Sequence, residues 1–393
     1  MVLLRVEASS PCYTSVNDFL PAAGFVTASF APATGFGQQM GPFSPQRAPS
    51  PAYEITNHAH VGVVEAVGPL VRRVKPGDRV IVGCTSQCGQ CYQCLNGVPE
   101  MCQFTVGAIE EKITPIATTA DGTPVIAANG IGGMSELSVV FEEFCYPVFT
   151  DVPPIELSML GDQLSSGLAA GISKMQIQTG TDVVVFGAGP VGLGAVQAAR
   201  LRSAGQIIVV EPIKARRDLA LKLGATAVLD PWIEADGLVP KIREMCRPPT
   251  DNRFAGGHPN GASGTDYSIC CAGQEKVTPR VEKSPDPTGI LPMQQAWAAG
   301  RLGGHVCWLG SPAGAISFPA SELAILGGRT IWPGQQAGLH SFRDLPRFVK
   351  LIERGLIDAK SLIEGVYPLT RTIEAAEAVA YRTKVATVVT PNA

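Results

Sequence analysis

The chain has 393 residues, of which 45% are hydrophobic, so it is long enough for two or three domains with sizeable cores. Its 31 basic and 34 acidic residues give a formal charge of −3 without long runs of either sign, which excludes a basic footprint for nucleic acid or an anionic membrane. Glycine, proline or charge interrupts the apolar stretches, so we expect no membrane span. The partners we expect are small molecules.

The N-terminus and the cysteines bear on the compartment. MVLLRVEASS lacks the basic start and long apolar core of a signal peptide, so we expect a cytoplasmic protein. In a reducing compartment, clustered cysteines are metal ligands more often than disulfides, and scattered ones are small buried hydrophobes. The chain contains eleven cysteines, some clustered and some scattered.

The first part of the chain predicts short strands and one long loop. Residues 2–8 have the pattern of a strand, and a polar turn containing Cys12 follows. Residues 19–53 are rich in Pro, Gly and Ala with little periodicity, which predicts a long loop whose phenylalanines argue against complete disorder. Residues 61–67 and 79–82 predict two further strands.

The strongest short motif is a cysteine repeat. Cys88, Cys91 and Cys94 are separated by two-residue gaps, and Cys102 follows. Four thiolates can close a tetrahedral shell around zinc, and such gaps let successive sulfurs turn inward from one small loop. Because a closed shell leaves no position for substrate, this zinc would be structural. An iron–sulfur cluster and four unligated thiols are the alternatives.

An acidic residue stands out before the next unit. Residues 131–148 predict more strands, and residues 159–175 predict a helical approach that contains Asp162. Small and apolar residues surround this carboxylate, and burying it unpaired would be costly. From the local sequence alone, Asp162 is either a helix cap or a functional acid.

Residues 183–211 predict a strand, a glycine turn, a helix and a second strand in one unit. Residues 183–186 are apolar throughout, as in a strand covered on both faces. The G-x-G-x-x-G turn follows, and the helix after it points unpaired N–H groups at an anion. Glu211 ends the second strand, where an acid can accept hydrogen bonds from an adenosine ribose. A glycine-rich packing turn without a ligand is the alternative.

This unit predicts NAD as cofactor. The predicted cofactor-binding residues are Gly187, Gly189, Pro190, Val191, Gly192, Glu211 and Arg216. A carboxylate at position 211 would repel the 2′-phosphate of NADP. Arg216 and Arg217 on the following helix could instead neutralise such a phosphate, and a solvated helix face is the other interpretation of this pair.

Beyond Glu211, helices and strands alternate, which predicts a doubly wound parallel sheet. The predicted elements are helices at 215–223, 234–245 and 291–302 and strands at 227–229, 267–271 and 305–309. We expect two polar inserts, 248–264 and 275–289, at the surface. The last segment, from about residue 336, predicts helices at 345–354 and 373–381 and a closing strand at 386–390.

A four-cysteine loop upstream of a nucleotide fold, with Cys12 and His58 before it, resembles the zinc-dependent alcohol dehydrogenases of the medium-chain dehydrogenase/reductase family. The resemblance covers nearly the whole chain. It implies an α/β protein that combines a Rossmann doubly wound parallel sheet with a mostly β, GroES-like catalytic domain. The implied domains are GroES-like at 1–163 and 336–393, with a structural zinc lobe at 84–103, and Rossmann at 164–335.

The resemblance also implies a catalytic zinc site. By motif matching, Cys12 takes the place of the first ligand and His58 that of the second, although His60 is a rival. Counting back from Gly187 places Asp162 at the third ligand. An aspartate there resembles the glutathione-independent formaldehyde dehydrogenase and dismutase branch. Thr14 matches the hydroxyl that leads the substrate proton away from zinc.

Several positions depart from the family pattern. Ala59 replaces the customary acid after the second ligand, Tyr13 replaces a phosphate-binding basic residue, and Asn17 stands at the relay position commonly held by histidine. Most of the N-terminal strands before the first ligand are missing. The 19–53 insert separates the first two ligands.

The function implied by the resemblance is a zinc- and NAD-dependent oxidoreductase that interconverts an alcohol and an aldehyde or ketone by hydride transfer. It implies two zinc ions per chain, one catalytic and one structural, and a homodimer or homotetramer. A nicotinoprotein aldehyde dismutase that keeps its NAD bound is one alternative. A catalytically inactive binding protein of the same fold is another.

Overall fold

A computed structural model describes residues 1–16, 20, 53–104, 115–247, 263–318, 320, 328–332 and 334–392. Most of the predicted 19–53 loop, most of the 248–264 insert and Asn17 lie outside the described residues. The chain divides into two compact units. The first comprises Met1–Ser165 and His340–Ala393, and the second comprises Ser166–Leu339.

The strands and helices follow in chain order. The strands are β1 (Val2–Ala8), β2 (Tyr53–Ile55), β3 (His60–Val67), β4 (Arg79–Val82), β5 (Ala117–Thr118), β6 (Pro124–Ala127), β7 (Leu137–Val140), β8 (Cys145–Pro147), β9 (Asp182–Phe186), β10 (Gln206–Val210), β11 (Ala227–Leu229), β12 (Thr265–Cys270), β13 (Gly300–Trp308), β14 (Thr330–Trp332), β15 (Ile363–Pro368) and β16 (Ala386–Thr390). The α-helices are α1 (Tyr92–Leu95), α2 (Pro154–Leu157), α3 (Gln163–Ala169), α4 (Pro190–Leu201), α5 (Lys214–Leu223), α6 (Pro231–Glu234), α7 (Leu238–Met245), α8 (Ile290–Ala299), α9 (Ser341–Glu353) and α10 (Thr372–Ala380).

The first unit is built on an antiparallel sheet. Its strand order is β7-β1-β3-β4-β8, and every neighbouring pair is antiparallel. Alternate side chains of β1 are buried, as the two-residue period of a strand requires when one face covers a core. Val2, Leu4, Val80, Val82 and Phe144 belong to that core. A three-stranded sheet, β2-β6-β5, and the pair β15-β16 complete the strands of this unit.

The second unit is a parallel sheet of the Rossmann type. Its order is β11-β10-β9-β12-β13-β14, and each neighbouring pair is parallel. Residues 183–186 of β9 and 207–210 of β10 are buried, because helices cover both faces of such a sheet. The predicted doubly wound parallel sheet is confirmed, and the first unit contains the antiparallel sheet expected of the other domain.

Two predicted helices were wrong in extent. The predicted helix at 291–302 ends at Ala299, and the chain enters β13 at Gly300, whose carbonyl accepts hydrogen bonds from the Arg329 guanidinium. The predicted helix at 234–245 is two helices. They are separated at Ala235, whose φ of 42° does not continue a right-handed helix.

The helical segment predicted over residues 159–175 is interrupted at Asp162. A 3₁₀ turn at Ser158–Gly161 precedes it, Asp162 itself has φ −149° and ψ −80°, and α3 begins at the next residue. A Cβ on Gly161 would lie 2.8 Å from both the Ala59 Cβ and the Val82 carbonyl oxygen. Only glycine allows this turn to pack so closely on the end of β4, and that packing brings Asp162 to the beginning of β3.

Candidate functional site

Cys12, His58 and Asp162 converge in the first unit from distant parts of the chain. Cys12 precedes the 3₁₀ turn Tyr13–Ser15, His58 precedes β3, and Asp162 precedes α3. Their ligand atoms all lie within 4.8 Å of one another, and 3.2 Å separates His58 Nε2 from Asp162 Oδ2. The three residues predicted as ligands are therefore brought together.

Ser15 orients the His58 ring. Its Oγ lies 2.9 Å from His58 Nδ1, and Ser15 is buried. When the Nδ1–H donates to this hydroxyl, Nε2 is the nitrogen that faces Asp162. Metal-binding histidines are generally oriented by a hydrogen bond from their other ring nitrogen. Sequence analysis missed Ser15, since nothing in the ASSPCYTS string assigns it a partner.

The electrostatics of this cluster favour a cation. Burial alone would lower the pKa of His58, but the negative charge of Cys12 and the hydrogen bond with Asp162 raise it well above its ordinary value. Burial would raise the pKa of Asp162, but the hydrogen bond and charge of His58 hold it below its ordinary value. A positive charge is thus stabilised where the three side chains meet.

The distances suit zinc. With bonds of about 2.0–2.1 Å to nitrogen and oxygen, tetrahedral zinc places such ligand atoms about 3.3 Å apart. The His58 Nε2 to Asp162 Oδ2 distance of 3.2 Å fits that value. A thiolate, an imidazole and a carboxylate are ligands that zinc takes in catalytic sites, with a fourth position left open.

Thr14 lies beside the same point. Its Oγ1 is 3.0 Å from Cys12 Sγ and 3.5 Å from His58 Nε2. A hydroxyl can donate and accept hydrogen bonds at once, so this position suits a group that receives a proton and passes it on.

Asn57 holds the segments of the first two ligands together. It is buried with a φ of 71°, a conformation that asparagine tolerates better than most residues. Its Oδ1 accepts from the Cys12 N–H at 3.4 Å, and its Nδ2 donates to the carbonyls of Ser10 and Ala59 at 3.0 and 2.9 Å. The Asn-His-Ala string thus positions His58 through backbone contacts.

His60, the rival ligand, has another role. It is fully buried in β3, and its Nε2 lies 2.8 Å from the Ser138 hydroxyl. Burial lowers its pKa to about 3, so the ring stays neutral at ordinary pH. His60 is not part of the three-residue cluster.

Cys84 contacts the cluster, and no local pattern in the sequence predicts this contact. Cys84 lies two residues after β4, which ends at Val82. The Cys84 thiol donates to Asp162 Oδ1 at 3.3 Å. The Asp162 oxygens thus face side chains of the first unit, His58 and Cys84, which weakens the interpretation of this residue as a helix cap.

The four repeat cysteines form a second cluster. The Sγ atoms of Cys88 and Cys94 are 4.0 Å apart, and those of Cys91 and Cys102 are 3.9 Å apart. Tetrahedral zinc with bonds of about 2.3 Å to sulfur would place its ligands about 3.8 Å apart. Burial raises the pKa of the Cys91 thiol, but N–H groups of Cys94 and Gln103 lower it to about 6. This favours the thiolate, the form that binds metal.

The glycine turn of the second unit has the geometry of a phosphate-binding turn. Gly187 has φ 90°, and a Cβ on Gly192 would lie 1.8 Å from the Gly187 carbonyl oxygen, so neither position accepts a side chain. Gly189 is the N-cap of α4, and Pro190 is its first residue. In the described part of the chain, a Cβ on Gly189 would meet only the Arg216 guanidinium, at 4.0 Å, so these residues leave the turn open at that point.

Glu211 is buried beside this turn. Its two carboxylate oxygens accept from the N–H groups of Ala188 and Ile213, at 2.6 and 2.9 Å. Each oxygen keeps a second lone pair for another donor. Arg217 is engaged elsewhere, since it donates to the Glu211 and Pro212 carbonyls and pairs with Asp230 at 3.0 Å. Arg216 is therefore the arginine of this helix that remains near the turn.

None of the eleven cysteines forms a disulfide bond. Among the described residues, none of the helices is both long enough and apolar enough to cross a membrane.

Comparisons with known proteins bear directly on this arrangement. Residues 1–150 match the alcohol dehydrogenase GroES-like domain, and residues 190–354 match the zinc-binding dehydrogenase family. A probable alcohol dehydrogenase from a Pseudomonas species is 34% identical over 242 residues, 58% of this chain and 69% of that protein. The chain belongs to the zinc-binding medium-chain alcohol dehydrogenase family.

Two further relatives define the extent of the match. An alcohol dehydrogenase class-3 from Cereibacter sphaeroides is 32% identical over 228 residues, 57% of this chain but only 58% of that protein. The crystal structure of an alcohol dehydrogenase zinc-binding domain protein from Burkholderia ambifaria has 26% identity and a TM-score of 0.76, over 100% of this chain and 92% of that one. The family uses NAD(P), and the chain carries a four-cysteine zinc site and a Cys/His/Asp site.

A substitution in the four-cysteine cluster tests its structural role. We expect Cys91→Ser to lose one zinc per chain and to melt at a lower temperature, because zinc binding contributes on the order of 10 kcal/mol in small metal-folded peptides and less beside a large core. Metal analysis and thermal unfolding measure both effects. Cys246→Ser, at a buried thiol of the second unit, should keep both zincs. Full zinc and wild-type melting in Cys91→Ser would show that the cluster is not a structural metal site.

Proposed function

We propose that this protein is a zinc- and NAD-dependent oxidoreductase that interconverts an alcohol and an aldehyde or ketone. The observation that carries the proposal is the convergence of Cys12, His58 and Asp162 on one point in a chain of this family. The alcohol dehydrogenases among its relatives support the substrate class.

In this proposal, Cys12, His58 and Asp162 hold the catalytic zinc and leave one position open. A zinc ion with an open position acidifies an alcohol and polarises a carbonyl. The Thr14 hydroxyl, which contacts both Cys12 and His58 and is exposed, would accept the alcohol proton while releasing its own proton toward solvent. Ser15 and Asn57 keep the first two ligands in place, so that little reorganisation is needed when substrate binds.

The second unit binds the cofactor in this proposal. Gly187, Gly189 and Gly192 allow the pyrophosphate to approach the backbone, with Pro190 and Val191 at the N-terminus of α4 and Arg216 beside the turn. Glu211 accepts hydrogen bonds from the adenosine ribose. NAD supplies the hydride-accepting ring.

The domain assignment and the position within the family are also proposals. We assign residues 1–163 and 336–393 to the catalytic domain, with a structural zinc lobe at 84–103, and residues 164–335 to the NAD-binding domain. The Cys/His/Asp ligand set supports a place near the glutathione-independent formaldehyde dehydrogenase and dismutase branch. The clustering of cysteines as metal ligands supports a reducing compartment and hence a cytoplasmic protein. For a homodimer or homotetramer, the outer strand β14 offers an edge for pairing.

Replacing the third ligand tests the proposal. We expect Asp162→Ala to lose one zinc per chain and its dehydrogenase activity, because two protein ligands are too few for a catalytic zinc site. The four-cysteine zinc and NAD binding should remain. Asp78→Ala removes a mostly buried carboxylate of the same unit that pairs with Lys75, and should keep two zincs and full turnover. Zinc per chain and kcat decide the matter, and two retained zincs with near-normal turnover in Asp162→Ala would exclude Asp162 as a ligand.

Cofactor preference provides a second test. We expect kcat/KM to be higher with NAD than with NADP, since the buried Glu211 carboxylate fixes a negative charge where the 2′-phosphate would lie. Arg216→Ala removes the guanidinium beside the turn and should leave NAD the preferred cofactor, because Glu211 sets the preference. Equal kcat/KM values for the two cofactors in the wild-type enzyme would contradict this role of Glu211.

A further inference from the structure

We propose that Cys84 is a positioning residue that holds the Asp162 carboxylate in the orientation needed to bind metal through one oxygen. This inference rests on the proposed role of Asp162 as a ligand. It assigns a function to a thiol outside both metal clusters.

The two oxygens of Asp162 have different partners. The Cys84 thiol donates to Oδ1 at 3.3 Å, whereas Oδ2 lies 3.2 Å from His58 Nε2, on the side where the three ligands converge. Because one oxygen is tied to the thiol, rotation of the carboxylate about its Cβ–Cγ bond is opposed. The group is therefore oriented to offer Oδ2 to the metal.

Cys84 also holds the backbone next to Asp162. Its N–H donates to the Gly161 carbonyl at 3.0 Å, so a single residue contacts two consecutive residues of this turn. Gly161 has no room to shift toward its neighbours, since even a Cβ there would lie 2.8 Å from Ala59 Cβ. The main-chain contact fixes the position of Asp162, and the thiol fixes its rotation.

Cys84 itself is held in place by its surroundings. On one side, the Gly83 N–H donates to the Phe144 carbonyl at 3.1 Å. On the other side, Thr85, Ser86 and Gln87 are buried and lead directly to Cys88 of the four-cysteine cluster. A positioning residue needs a backbone that is held in place in this way, because a hydrogen-bond donor on a mobile segment would not restrain its acceptor.

The orientation of the carboxylate has a chemical consequence. A catalytic zinc with three protein ligands needs its fourth position for substrate. If Asp162 rotated to offer both oxygens, the second oxygen would compete for that position. The Cys84 thiol thus favours one-oxygen ligation and an open site.

The test compares three variants of the full-length, zinc-loaded protein. Cys84→Ala removes the donor, and Cys84→Ser keeps a donor at the same position. Cys145→Ala is the matched control, since this buried thiol of the same unit contacts only the Phe141 carbonyl, at 3.8 Å, among its hydrogen-bond acceptors in the described chain. The readouts are the zinc dissociation constant of the weaker site by chelator competition, the visible spectrum after Co²⁺ replaces that zinc, and kcat and KM for the alcohol that the wild-type protein oxidises best in a panel of alcohols.

We expect Cys84→Ala to bind the weaker zinc about 10-fold less tightly, as is usual when a partner of a metal ligand is removed. Its Co²⁺ spectrum should shift as the coordination changes, and kcat should fall more than KM rises. Cys84→Ser should restore affinity and spectrum toward wild type, whereas Cys145→Ala should leave both unchanged.

Several outcomes would overturn the inference. Wild-type zinc affinity and Co²⁺ spectrum in Cys84→Ala would show that the thiol does not position Asp162. Equal losses in Cys84→Ala and Cys84→Ser would show a packing role instead. If Cys84→Ala does not fold, Cys84→Ser alone decides, since loss of the weaker zinc in that variant contradicts the proposal. A wild-type protein with only one zinc would overturn the proposed function itself, which is a separate result.

Discussion

The candidate site of the first unit depends on the convergence of a thiolate, an imidazole and a carboxylate that are largely buried from solvent. Buried charges are unfavourable unless they are paired or bind a metal. Here the raised pKa of His58 and the lowered pKa of Asp162 share one cause, the close approach of Cys12, His58 and Asp162. The local structure resists the rearrangement that would separate them. Asn57 ties the backbone of Cys12 to that of His58, and the glycine at 161 brings Asp162 close.

In the second unit, close backbone packing constrains the glycine turn that follows β9. The backbone at Gly187 and Gly192 leaves no room for a side chain at either position. Glu211 reaches across from the end of β10 to the N–H of Ala188 within the turn. A carboxylate in this position stabilises the turn and, in the proposed function, sets the charge that the nucleotide meets.

Local patterns in the sequence predicted several of the strands and the four-cysteine cluster. The bounds of β1 and β16 agree with the predicted strands, since an uninterrupted or alternating apolar run defines each of them. The four cysteines were also predictable, because their ligand geometry is encoded by spacing within one short segment.

Contacts between distant residues were not predictable in the same way. Ser15 meets His58 across 43 residues, and Cys84 meets Asp162 across 78. No spacing rule connects such pairs, and a serine or a single cysteine has no distinctive pattern. The ligand role of Asp162 was predicted from the family resemblance, by counting back from Gly187, and not from a local motif. The helix predicted at 291–302 is confirmed as far as Ala299, and its end was misplaced because no proline marks the change from helix to strand at Gly300.

In the proposed function, the chain holds two different metal shells, one of four sulfurs and one that mixes sulfur, nitrogen and oxygen. X-ray absorption at the zinc edge of the purified protein distinguishes these shells. We expect two zincs per chain whose combined shells contain the five sulfurs of Cys12, Cys88, Cys91, Cys94 and Cys102 at about 2.3 Å, together with nitrogen and oxygen at about 2.0–2.1 Å. A single zinc surrounded only by sulfur would contradict this expectation, because the Cys12, His58 and Asp162 cluster would then hold no metal.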